Sequence, residues 1–174
     1  MDKMVTVAVL VFLMGVFDRW RGRGWPQAWE KYPLKTISDL ALGWCVALLL
    51  GHAFDMAALL ITLGMFTGSR FGWGEPLGAY YDRRPQMNPA NYETWQFGIF
   101  KQNALYAVWL RGAIWGACVL PAAWYDWRAV LVAGCVTLAF PAAAWVGRAT
   151  QRWDILELSR GWLLGVLVAA VGLI

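Results

Sequence analysis

The chain is poor in the residues that most often carry chemistry. It has one histidine, His52, three cysteines, and charged side chains at only 15% of 174 positions. The cysteines, Cys45, Cys118 and Cys135, lie inside apolar runs and form no CxxC pair. A secreted disulfide scaffold is therefore excluded, and no zinc site built from His and Cys, other metal or cofactor is expected. There is no HExxH, no phosphate-binding P-loop and no GxSxG nucleophile turn. The scarcity of charge also excludes a disordered tail and sets the chain apart from an ordinary cytosolic enzyme, where about 25% of residues are charged. What is present is apolar: 60% hydrophobic residues before 18 glycines are counted, and 13 tryptophans. That composition predicts one domain, residues 1–174, whose solvent is lipid.

A bilayer core of about 30 Å takes roughly 20 apolar residues per helix. The first apolar run, Met4–Phe17, ends at Asp18 and Arg19. Lys3 precedes it as in a signal peptide, but the small-residue cleavage site is missing, so it reads as an uncleaved first span. The run Leu40–Phe66 is interrupted at Gly51–Asp55 and reads either as one long tilted span or as a hairpin of spans 36–53 and 56–71. Ala104–Val146 is broken at Trp124–Arg128 and reads as a second hairpin, and Ile155–Ile174 as the last span. Pro121 should bend the end of one span, and Pro141 should kink another.

Cation placement decides between the readings, because Lys and Arg collect on the cytoplasmic side. With six spans, one side holds Arg19, Arg21, Arg23, Lys31, Lys35, Arg70, Arg83, Arg84, Lys101, Arg148, Arg152 and Arg160. The other side holds Lys3 and Arg128. The expectation is thus an all-α polytopic bundle of about six spans with two helical hairpins. It would sit in the inner (cytoplasmic) membrane with both termini non-cytoplasmic. Trp20, Trp25, Trp29, Trp73, Trp95, Trp124, Trp127, Trp153 and Trp162 fall in loops or near span ends, as interface anchors do. Trp44 and Trp115 are the central exceptions. Each is followed eleven residues later by an aspartate, Asp55 and Asp126, and each hairpin leads to an Arg-aromatic-three-residue-Glu string. This suggests a parallel repeat of hairpins 36–75 and 104–157, against coincidence in a Trp-rich sequence.

Small residues four apart let helix backbones approach closely in lipid. Gly64 and Gly68, Gly112 and Gly116, and Gly161 and Gly165 show that spacing in three different spans. They predict a compact bundle, a homo-oligomer or a membrane-protein partner. Arg111, about eight residues into its span, is the one intramembrane charge. Asp39 and Glu157 near the starts of two other spans could pair with it, as a register-fixing ion pair or as a substrate or proton site. His52 and Asp55, three apart, could share a helix face and serve a general base or a proton relay, or form a plain polar turn. The longest polar stretch, 70–102, opens with Arg70, Trp73 and Glu75 and suits lipid headgroups, anionic polymers or a protein partner. Arg19-Trp20-Arg21-Gly22-Arg23-Gly24 interleaves cations with an indole. That fits anionic membrane lipid far better than nucleic acid.

The stretches at 19–24 and Arg70-Phe71-Gly72-Trp73-Gly74-Glu75 resemble those of uncharacterised multi-spanning membrane proteins of tailed phages and prophages. The resemblance covers 12 residues. It implies a host-membrane factor, for example in superinfection exclusion or lysis control, and brings no mechanism. Two function classes stand: a non-enzymatic multi-pass membrane protein, and a membrane-embedded enzyme or small transporter using the Arg111, Asp39 and Glu157 cluster.

Overall fold

A computed structural model describes residues 3–22, 32–72, 104–150 and 153–174. Among these residues the chain is all-α, with six helices and no strand. Helix α1 spans Lys3–Gly22, α2 Tyr32–Leu49, α3 Met56–Gly72, α4 Ala104–Val119, α5 Arg128–Thr150 and α6 Trp153–Gly172. A 3-10 turn, Leu120–Trp124, follows α4 and has Pro121 in its first turn, where a proline's missing N–H costs nothing. Helix α5 runs on through Pro141.

Each helix packs on its neighbours in sequence, and α6 returns to pack on α1. The six therefore close into a ring. Glycines set the spacing. A Cβ added at Gly116 would stand 2.6 Å from the Ala133 carbonyl oxygen, and one at Gly112 would stand 2.6 Å from that of Thr137. Gly64 lies against the Cys118 carbonyl and Gly68 against Trp115, which closes α3 on α4. Gly161 lies against Met14 and Gly15, and Gly165 against Val11, which closes α6 on α1. All six glycines singled out by their spacing thus sit at helix–helix contacts. Gly15 under Trp162, Gly43 against Thr62, and Gly172 against the Leu49 carbonyl do the same outside any four-residue pattern. Trp162 lies mid-helix, over α1, and not at a helix end as its sequence position suggested.

These contacts place the start of α1, the α2–α3 turn, the α4–α5 turn and the end of α6 at one end of the ring. Inside lies a core that includes Met14, Leu42, Val46, Ile61, Met65 and Trp115. Outside, every helix also presents large apolar side chains: Phe12, Trp44, Leu63, Trp109, Leu138 and Val166 are exposed, one from each helix in turn. Polar side chains are among the buried ones, with Asp18, Ser38, Asp39 and Ser69 all at most 2% exposed.

The expectation of six spans meets a limit here. Among the described residues no helix is long and apolar enough to cross a membrane. Helices α2, α3 and α4 have 18, 17 and 16 residues, short of the roughly 20 that a bilayer core asks for. Charge enters α1 at Asp18 and α6 at Asp154, Glu157 and Arg160.

Candidate functional site: the paired turns

Helix α2 ends in a Schellman motif. Gly51 takes φ 85°, a left-handed conformation that costs a side-chain-bearing residue about 1–2 kcal/mol. Its N–H donates to the Leu48 carbonyl at 3.0 Å, and the His52 N–H to that of Ala47 at 3.0 Å. The Gly-His pair therefore stops the helix and sets the direction of the imidazole. Asp55 then caps α3, its Oδ1 accepting the Ala58 N–H at 2.8 Å. An aspartate just before an apolar helical run is a sequence-level start signal. Asp126 does the same for α5, its Oδ1 accepting the Arg128 N–H at 2.9 Å.

The second oxygen of each cap is aimed at one histidine. His52 Nδ1 lies 2.6 Å from Asp55 Oδ2, and His52 Nε2 lies 2.8 Å from Asp126 Oδ2. Arg128 completes the group. Its Nε donates to both Asp126 oxygens at 3.1 and 3.0 Å, and its Nη2 lies 2.9 Å from Asp126 Oδ2. The same Nη2 donates to the Leu50 carbonyl at 2.9 Å, placing a cation on the negative end of α2. Two turns that are 74 residues apart in sequence at His52 and Asp126 are thereby joined.

The electrostatics follow from these partners. Burial works against charge on His52, but its hydrogen bonds to Asp55 and Asp126 outweigh it and raise the pKa above the ordinary 6.5. Burial likewise works against charge on Asp126, and hydrogen bonds from Arg128 and His52 prevail, bringing its pKa down from 3.8 to about 2. The Ala58 N–H, then His52, lowers that of Asp55. Two cations face two anions, so the cluster is neutral as a whole when His52 is protonated.

Asp55 also borders an open groove of about 460 Å³ between Trp44, Phe54, Met56 and Leu59. The Trp44 indole N–H donates to the Ala53 carbonyl at 3.0 Å, and its ring lies 5.8 Å from that of Phe54 at 49°. Phe54 and Trp124, about 90% exposed, stand with Tyr125 and Trp127 on the tips of the two turns.

His52 and Asp55 occupy a turn and not the shared helix face the spacing allowed. That turn is also more than a plain polar tip, since Asp126 and Arg128 reach it. The sequence carried one hint: the eleven-residue step from Trp44 to Asp55 and from Trp115 to Asp126 puts both acids at the same end of their hairpins. The tryptophans themselves differ, Trp115 being buried and Trp44 exposed.

Asp39 lies toward the opposite end. It is buried in α2 and accepts a hydrogen bond from Ser69 Oγ of α3 at 2.8 Å. Arg111 and Glu157 belong to α4 and α6, and Arg70 to α3, but their side chains are outside the described residues, as are Trp73 and Glu75 entirely. Among the described residues no group of three or more His, Cys, Asp or Glu is arranged to hold a metal ion. Comparison of the chain with protein-family models, curated proteins and solved structures gives no match.

Proposed function

We propose that this chain is a non-enzymatic, multi-pass protein of the cytoplasmic membrane, acting through helix packing and through the segments that join its helices. One observation carries the reading: the ring has apolar side chains on both its inner and outer faces. A helix set apolar all round belongs in a large protein core or in lipid. Here the outer faces of six helices carry Phe12, Trp44, Leu63, Trp109, Leu138 and Val166, while Asp18, Ser38, Asp39 and Ser69 turn inward.

The close glycine contacts give further support. Lipid tails supply no hydrophobic drive between helices, so association there relies on backbone approach at small residues. No described helix is by itself long and apolar enough to cross a membrane. The support therefore comes from the surface of the whole bundle, with short helices accommodated by local thinning of the bilayer. Membrane lipid is the partner this reading requires. A phage or prophage origin is a narrower proposal, supported by the resemblance of residues 19–24 and 70–75.

Membranes from cells expressing the full chain, washed in alkaline carbonate, test the reading. The protein should stay in the membrane pellet and come off only with detergent. Release by carbonate alone would overturn it.

A further inference from the structure

His52 is the chain's single histidine, and both its ring nitrogens face carboxylate oxygens, at 2.6 and 2.8 Å. An ionised carboxylate accepts hydrogen bonds and donates none, and a neutral imidazole has only one N–H. Both contacts are satisfied together only when the ring carries two protons. The geometry points to a pH-operated tether: protonated His52 joins the α2–α3 turn to the α4–α5 turn, and loss of its proton releases that link.

The reason for release is local. A neutral ring keeps one N–H. Asp126 Oδ2 retains its bonds from Arg128, so the remaining proton goes to Nδ1 and Asp55. The Nε2 lone pair then faces Asp126 Oδ2 at 2.8 Å, which breaks the link between the turns. Arg128 keeps its bond to the Leu50 carbonyl. Release therefore loosens the two turns without separating the hairpins. Protons have access, since the side chains of His52 and Asp55 are 18% and 54% exposed.

The charged and titratable surroundings are few. Asp55 faces His52 from its own turn, and Asp126 and Arg128 face it from the α4–α5 turn. Tyr125 sits beside Asp126, and Lys3 opens α1 at the same end. The last turns of α6, from Ala169 to Ile174, bring no ionisable side chain. The carboxylates dominate and hold the proton on His52 beyond its ordinary range. The tether is therefore closed below pH 6.5 and opens as the pH rises through the elevated pKa. Under the proposed orientation this end faces away from the cytoplasm, so the pH it reads is that of the outer compartment. That clause rests on the membrane reading, but the tether itself does not.

Selective 15N-histidine labelling of the full chain in detergent gives one residue's signal to follow from pH 5 to pH 9. We expect both ring nitrogens protonated at pH 6.5 and a midpoint above it. In Asp126→Asn the midpoint should fall toward the ordinary value. Spin labels at Phe54→Cys and Tyr125→Cys, with Cys45, Cys118 and Cys135 replaced by Ala, should report a distance distribution that broadens across the same midpoint. His52→Gln should remove that pH dependence. A midpoint at or below 6.5, or a label distance indifferent to pH across the His52 titration, overturns the tether. Neither readout depends on which way the protein faces in a membrane, so failure here is distinct from failure of the carbonate test.

Discussion

Asp126 starts α5 with one oxygen and holds both His52 and Arg128 with the other. Hydrogen bonds to charged partners contribute about 1.5–3 kcal/mol each when they are kept from water. Asp126→Asn replaces the carboxylate that His52 and Arg128 share with a neutral amide. It should destabilise the protein by about 2 kcal/mol, read as a lowered midpoint of thermal unfolding at pH 7. The acid limb of stability should change as well. A carboxylate whose pKa is lowered on folding contributes stability above its unfolded value, near 3.8, and loses it as the pH falls through the folded value, about 2. The variant should lack that share of acid sensitivity. An unfolding profile with the wild-type midpoint at pH 7 and the wild-type acid limb would show that Asp126 is only a spectator. The local roles at this site were legible in the sequence. Gly51 before His52 and Asp55 before an apolar run are a helix stop and a helix start. The meeting of His52 with Asp126 was not legible, because it depends on how α3 and α4 bring two distant turns together.

At the scale of the element, glycines decide whether helices can touch. Gly116 and Gly134 lie on helices that pack on each other, but their surroundings differ. A Cβ at Gly116 would meet the Ala133 carbonyl and the Thr137 hydroxyl, whereas one at Gly134 meets nothing within 4 Å. Gly116→Ala should therefore push α4 from α5 and cost about 1–3 kcal/mol. Gly134→Ala should be neutral, or stabilising by roughly 0.5–1 kcal/mol through helix propensity. Thermal unfolding of the two variants side by side checks this, and equal effects would contradict the packing. Gly51 is constrained differently, by its φ of 85° with open space around it. Asn tolerates that conformation and a β-branched residue does not. Gly51→Asn should therefore be milder than Gly51→Val by the same measurement. Four-residue glycine spacing revealed the three seams that use it. It could not reveal Gly15, Gly43 and Gly172, since a lone small residue becomes informative only when its partner surface is known.

At the scale of the molecule, the sequence divides its cations unevenly among the segments that join the helices. The α2–α3 and α4–α5 turns share one end with the start of α1 and the end of α6. Arg128, one of only two cations assigned to that end, is paired with Asp126 and the Leu50 carbonyl. Its charge is spent within the bundle, which leaves Lys3 as the exception to the asymmetry. The segments joining α1 to α2, α3 to α4 and α5 to α6 hold Arg23, Lys31, Arg83, Arg84, Lys101 and Arg152 between them. If the bundle sits in a membrane as proposed, the cation-rich end faces the cytoplasm. Alkaline phosphatase inserted between Gly51 and Phe54, or fused after Ile174, should then be active, and green fluorescent protein at the same places should be dark. Fluorescent protein inserted within 73–103 should be bright. The pairing of Arg128 adds a sharper expectation. Asp126→Ala frees a cation at the outer end, but a single partly shielded charge against the many on the other side should not invert the protein, so the reporters should keep their pattern. Bright fluorescence from a fusion after Ile174 in the wild-type chain would reverse the orientation and show that cation count does not govern how this bundle inserts.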